Sequence, residues 1–218
     1  MNSNTARNPY GPKRHRQQLA RHALLGTLGA LGVLLATGCA IQRDFINLAY
    51  GPAMEVARVP GADAVNVQVT VVDLRANKDK VSCKKNGYGM EMAEIVAKND
   101  VAELVKKSLE TELANRGFVA GPQAVSVLVE LAKFYSDFKI GLFAGDAIAE
   151  ISMNVQVKKP DGTGVFSKVI TGDGKAARIQ LATGGNAKIA LDAALKDALT
   201  KLFADAAFVE ALLKAGKT

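Results

Sequence analysis

A strict two-residue alternation, repeated in three separate stretches, constrains this chain more than any other feature. In "VNVQVTVVD" (65–73), Val65, Val67, Val69 and Val71 alternate with Asn66, Gln68 and Thr70. In "VSVLVELAK" (125–133), Val125, Val127, Val129 and Leu131 share one side. In "AIAEISMNVQVKK" (147–159), Ala149, Ile151, Met153, Val155 and Val157 oppose Glu150, Ser152, Asn154 and Gln156. Successive strand side chains point to opposite faces, so each stretch reads as a half-buried strand. Between the first two lies a helical stripe of Val101, Leu104, Val105, Leu109 and Leu113. Asp100 and Glu103 open it as a capping box, and Arg116 and Gly117 close it, with Pro122 beyond. A second helix is expected from Ala187 to about Asp205, bearing Ile189, Leu195, Leu199, Leu202 and Phe203. A shorter segment ending near Lys214 adds Phe208, Val209, Leu212 and Leu213. This order predicts an α+β fold, a two-layer sandwich of a mainly antiparallel sheet with two helices packed on one face. The opposite face, carrying Ser152, Asn154 and Gln156, is expected to be wet or covered by a partner.

The connections read less sharply. "PDGTG" (160–164) is a turn into a strand "VFSKVIT", and "TGDGKA" (171–176), which lacks phosphate-loop spacing, also reads as a turn. Ala76 to Lys98 is long for a loop, and a small hairpin turning at Asn86-Gly87 fits it, with Met90 and Met92 alternating beyond. Lys78, Lys80, Lys84 and Lys85 make this region basic, either as a solvated loop or as a contact for acidic cell-wall or lipid headgroups. Cys83 within it is either buried or a thiol able to pair between molecules, and burial on the hairpin is the plainer reading.

Upstream of all this, the first 22 residues hold Arg7, Lys13, Arg14, Arg16 and Arg21 and no acid. An uncharged apolar stretch, Ala23 to Ala36, follows, and it is too short for a membrane span of about 20 residues. Small residues then lead into Cys39 through Ala36, Thr37 and Gly38. This arrangement resembles the lipobox of bacterial lipoproteins, which implies removal of residues 1–38 as a signal peptide and acylation of Cys39. Residues 39–63, with two prolines and no sustained period, read as a lipid-anchored tether, and 64–218 as the folded domain. Within that tether Phe45 and Tyr50 either touch the membrane interface or fold back on the domain. Ala40 is not the aspartate that by class resemblance holds lipoproteins at the inner membrane, so the outer membrane, on its periplasmic face, is expected.

Removing the leader changes the charge argument. The whole chain carries 28 basic and 21 acidic residues, a net +7. Five of the basic residues leave with the leader, so 23 remain against 21 acids, a net +2. A nucleic-acid partner loses its main support. Both histidines, His15 and His22, leave as well. Without imidazole, and with Cys83 as the one unacylated thiol, neither a Ser–His–Asp nor a Cys–His centre can be built, nor a usual zinc site. No catalytic residue, metal site or cofactor is expected, and the chain is not expected to be an enzyme.

The first strand ending in "VVDLR", the helix ending in "LANRGFVAGP" and the following "VSVLVEL" resemble the YajG family of outer-membrane lipoproteins, over essentially the whole chain after the leader. Arg116-Gly117-Phe118 with Gly121-Pro122 is the most specific part of that likeness. The plan is also similar to the TolB amino-terminal domain and to the Lpt and Pqi lipoproteins, which implies envelope-assembly or adaptor work. Two functions follow as expectations. One is a non-catalytic adaptor that docks an envelope protein or peptidoglycan; the other is a lipid- or glycan-binding carrier with an apolar groove between helix and sheet. A filled core with one exposed face favours the first, and a wide apolar cavity the second. Asp73 and Arg75, ending the first strand on alternate positions, read either as facing a partner or, the plainer reading, as a solvent-facing charge pair, and Arg116 as a cation placed against its helix dipole.

Overall fold

The computed structural model describes residues 42–52, 56–122, 124–141 and 144–217. The chain divides after Ile41, and the unit described is the one that begins at Gln42. Cys39 and the whole leader lie outside the described residues.

Eight strands form one open mixed sheet: β1 (Asp44–Ile46), β2 (Asn66–Asp73), β3 (Lys80–Lys85), β4 (Glu91–Ala97), β5 (Val119–Ala120), β6 (Val125–Lys139), β7 (Gly145–Lys158) and β8 (Gly164–Ile179). The long pairings β6–β7 and β7–β8 and the β3–β4 hairpin are antiparallel. The shorter pairings β1–β4, β2–β5, β2–β6 and β3–β6 are parallel. Among the described residues three α-helices, α1 (Val101–Asn115), α2 (Gly184–Ala204) and α3 (Ala206–Ala215), accompany the sheet. The alternation behaves as its period requires: Val125, Val127, Val129 and Leu131 of β6 and Ala149, Ile151, Met153, Val155 and Val157 of β7 are buried on the helix side. Asp100 caps α1, its Oδ1 accepting the Glu103 N–H at 3.1 Å. The short C-terminal segment is a full helix, with Asp205 closing α2 and accepting the Ala207 N–H to cap α3.

Four expectations change. The hairpin turns over Asn86–Met90 as expected, with the Asn86 N–H donating to the Met90 carbonyl, but "TGDGKA" is not a turn. It lies inside β8. A Cβ at Gly172 would sit 2.2 Å from the Ala194 carbonyl oxygen, and one at Gly174 2.0 Å from that of Ala190, so the glycines exist to let α2 close on the strand. The same contact explains Ile189, which is 57% exposed: α2 packs through Ala187, Ala190, Ala194 and Ala198, whose small side chains permit that approach. β6 is twice the length its alternating core suggested, because a bulge at Ala132 shifts register and passes the buried role from Leu131 to Phe134 and Phe138.

The fourth change concerns the stretch read as a tether. Its described part is integral to the domain. β1 pairs with β4, Ile46 and Leu48 are buried, and Asn99 holds Leu48 by both its N–H (2.9 Å) and its carbonyl (3.2 Å). The Ala49 N–H donates to Asp192 at 3.1 Å, and the Tyr50 hydroxyl to Glu112 at 2.5 Å. Tyr50 therefore folds back on the domain, while Phe45 stays exposed. No local period announces such a strap, since its partners lie some 50 to 140 residues downstream.

Candidate functional site

Register partners on adjacent strands point to the same face, so the pairings lay out the side of the sheet away from the helices row by row. One row runs Val72, Glu130, Asn154, Val169 across four strands. The next runs Thr70, Leu128, Gln156, Ser167, and beyond the bulge lie Lys133, Ser152 and Thr171. Val72 and Val169 are exposed at the two ends of the first row. Between them Glu130 Oε2 accepts from Asn154 Nδ2 at 2.9 Å and from Gln156 Nε2 at 3.3 Å. Asn154 Oδ1 in turn accepts from Ser167 at 3.4 Å, and Lys133 pairs with Glu150 at 2.7 Å. The result is a polar ladder with apolar ends, able to form hydrogen bonds to a surface laid against it. Ser152, Asn154 and Gln156 were legible in the sequence; Glu130, which holds Asn154 and Gln156, was not singled out, although it alternates outward in "VLVEL".

At the free edge of the sheet, β8 has its middle covered. Asp197 of α2 accepts the Asp173 N–H at 2.8 Å, and Lys201 donates to the Thr171 carbonyl at 3.2 Å. Side chains thus occupy backbone groups that an added strand would need.

The residues singled out from sequence fall elsewhere. Asp73 and Arg75 form a buried pair, not a solvent-facing one, because the loop after β2 folds Arg75 under Lys78 and over Phe134. Arg116 does sit at the end of α1 but spends its charge on Glu112 and on the Phe203 ring, 3.8 Å below its guanidinium. Glu112, 3% exposed, accepts from Tyr50 with one oxygen and Arg116 with the other. Burial and that carboxylate push the Tyr50 hydroxyl pKa well up. This cluster was missed, although Ser108 and Glu112 interrupt the apolar side of the stripe. The basic loop is largely neutralised within the molecule: Lys80 to Glu91 at 3.4 Å, Lys84 to Asp44 at 2.7 Å and Lys85 to Asp137 at 2.5 Å. Cys83 is buried, its thiol donating to the Ala93 carbonyl at 3.3 Å; burial, then Glu91, push its pKa up.

Concavities among the described residues include one of about 300 Å³ by Arg75, Asn77, Lys80 and Phe134. One of about 510 Å³ lies by Asn66, Pro122, Lys159 and Asp161; another of about 340 Å³ lies by Tyr50, Glu112, Arg116 and Phe203. That of about 510 Å³ is lined by both a helix and strands, through Ala215 of α3, Asn66 of β2 and Val125 of β6. Asn66, Lys159 and Asp161 nevertheless give it polar walls where a carrier needs an apolar groove, and that of about 340 Å³ has no strand residue in its lining. Among the described residues no helix is long and apolar enough to cross a membrane.

A model of a family described as uncharacterised lipoproteins matches residues 52–213. No curated protein matches the chain. A crystal structure of a Xanthomonas campestris protein, carrying the DUF330 family model, is similar at a TM-score of 0.51 and 17% identity, covering 79% of this chain and 96% of that one. That likeness shows the fold. A candidate lipoprotein from Caulobacter crescentus is 14% identical with a TM-score of 0.41, covering 72% of this chain and 95% of its own.

Proposed function

The chain belongs to the family of uncharacterised lipoproteins, and from that premise we propose a membrane-anchored adaptor of the cell envelope. Acyl chains on Cys39 hold it to the periplasmic face of the outer membrane, with residues 1–38 removed as signal peptide; kinship with the YajG family is the finer form of the same reading. The domain does no chemistry of its own and docks a protein of envelope maintenance on the open face of the sheet. The observation that supports this is the row Val72–Glu130–Asn154–Val169: a hydrogen-bonding face with apolar ends, opposite a core that the helices fill. The carrier alternative has less support, because Gly172 and Gly174 bring α2 into direct contact with β8 where a groove would have to lie.

Photo-crosslinking in intact cells tests it. A benzophenone side chain at Val169 is expected to capture one discrete envelope protein, and Glu130→Lys is expected to abolish that adduct while leaving the circular dichroism unchanged. Equal capture from Lys196, on the helix side, would overturn the assignment of the face. Adducts of lipid or muropeptide mass alone would overturn the protein-adaptor reading in favour of the carrier or of peptidoglycan itself.

A further inference from the structure

The strap fixes how far the domain can stand from its anchor. β1 runs parallel to β4, with Asp44 opposite Ile95, and Arg43 reaches Glu94 at 2.9 Å. The chain therefore enters the sheet from the side of the β3–β4 turn. Three residues separate Cys39 from Arg43, and the four peptide units between them reach at most about 14 Å. The four residue steps from Met90, just before β4, to Glu94 cover about 13 Å in the same direction. An acylated Cys39 thus has little more reach than the distance from Arg43 to the level of the turn.

What lies at that end fits a bilayer. Tyr88 at the turn is 92% exposed, Met90 beside it 59%, and Leu181, three residues before Gly184, 70%. Gly184 belongs to the same end, since its N–H donates to Asp44 at 2.8 Å. Large apolar groups left in water around a lipid attachment gain by entering the headgroup region, and tyrosine, apolar in body and polar at its tip, suits that depth. Lys80, Lys84 and Lys85 of the hairpin are engaged by Glu91, Asp44 and Asp137, which leaves the turn itself an apolar contact, with the exposed Lys139 and Arg178 at the same end of the sheet. Resting on the lipid-anchor reading above, we propose that the Tyr88–Met90 turn and Leu181 rest in the phospholipid surface, with the opposite end of the domain, at the turn before β8, facing the periplasm.

The chain contains no tryptophan, so single-tryptophan variants report one position each. Full-length acylated protein carrying Tyr88→Trp, Met90→Trp or Thr163→Trp would be placed in phosphatidylethanolamine–phosphatidylglycerol vesicles with brominated acyl chains, and the mass of its amino-terminal peptide measured in parallel. Tryptophan at 88 or 90 is expected to shift to the blue and lose most of its emission to bromine, in low and high salt alike, while tryptophan at 163 keeps its aqueous spectrum. With acylation confirmed, equal and unquenched spectra at all three positions would overturn the orientation, as would a quench that high salt removes. A peptide mass without acyl chains would overturn the anchor reading itself, and this inference with it.

Discussion

Arg75 grips Asp73 at two points, Nε 3.0 Å from Oδ1 and Nη2 2.8 Å from Oδ2, with the two side chains only 6% and 8% exposed. Nη2 also donates to the Lys78 carbonyl at 2.6 Å, tying the loop after β2 to the strand end, while Nη1 is buried without a hydrogen-bond partner among the described residues. Removing one member of a buried pair strands the other charge. Arg75→Ala is expected to cost about 3–5 kcal/mol in urea denaturation, and the double variant Asp73→Ala/Arg75→Met distinctly less. Equal losses in the single and double variants would show that packing, not the pair, carries the energy.

The same carboxylate sets an acid limit. Burial alone would raise the Asp73 pKa, but the hydrogen bonds from Arg75 outweigh it and hold it below the ordinary 3.8. For Asp44, burial is likewise overcome by Lys84 and the Gly184 N–H. A folded pKa below the unfolded one contributes stability that is complete above the unfolded value and lost as pH falls through the folded one. Unfolding free energy is therefore expected to hold level down to about pH 5 and to drop below the ordinary carboxylate range. Asp44→Asn and Asp73→Asn should each flatten that drop, as measured by urea titrations across the acid range.

The β8 glycines are the most sensitive backbone positions. Because a Cβ would meet carbonyl oxygens of α2 at 2.2 and 2.0 Å, Gly172→Ala and Gly174→Ala are each expected to cost about 3 kcal/mol or more, the upper range of overpacking. Gly164→Ala, with nothing within 4 Å, should stay within about 0.5 kcal/mol of the parent by thermal melting.

These glycines also mark where sequence reading stops. The cores of β2, β6 and β7 were legible because alternation is a local signal and Val127, Val129, Ile151 and Val155 obey it without interruption. The capped start of α1 was legible for the same reason. "TGDGKA" was not, since a glycine that admits a helix looks like a glycine that makes a turn until the helix is seen. Nor was the strap, whose partners Asn99, Glu112 and Asp192 are remote in sequence. Of the open face, Ser152, Asn154 and Gln156 were visible as outward positions, whereas Glu130 as the common partner of Asn154 and Gln156 depended on the register between strands.

Cys83 should behave as a core residue. Its thiol is buried, bonded to the Ala93 carbonyl, and held protonated by burial and by Glu91. Since the thiolate is the reactive form, Ellman's reagent is expected to label it only as fast as the β3–β4 hairpin opens, and at once in urea. Rapid labelling of the native protein, or a disulfide-linked dimer in oxidising buffer, would contradict that burial.

The strap is the element whose loosening matters most to an anchored protein. Tyr50→Phe leaves one oxygen of the buried Glu112 without its donor and is expected to cost about 1–3 kcal/mol. Asn99→Ala removes both bonds to Leu48. Because those contacts hold the strap without contributing to the β6–β8 core, each variant should speed tryptic cleavage at Arg43 and Arg58 more than it lowers the melting temperature of the remainder. Cleavage and melting that move together would mean that strap and core open as one unit. Unchanged cleavage would assign the hold to the burial of Ile46 and Leu48 alone, and the short reach between Cys39 and the sheet would still stand.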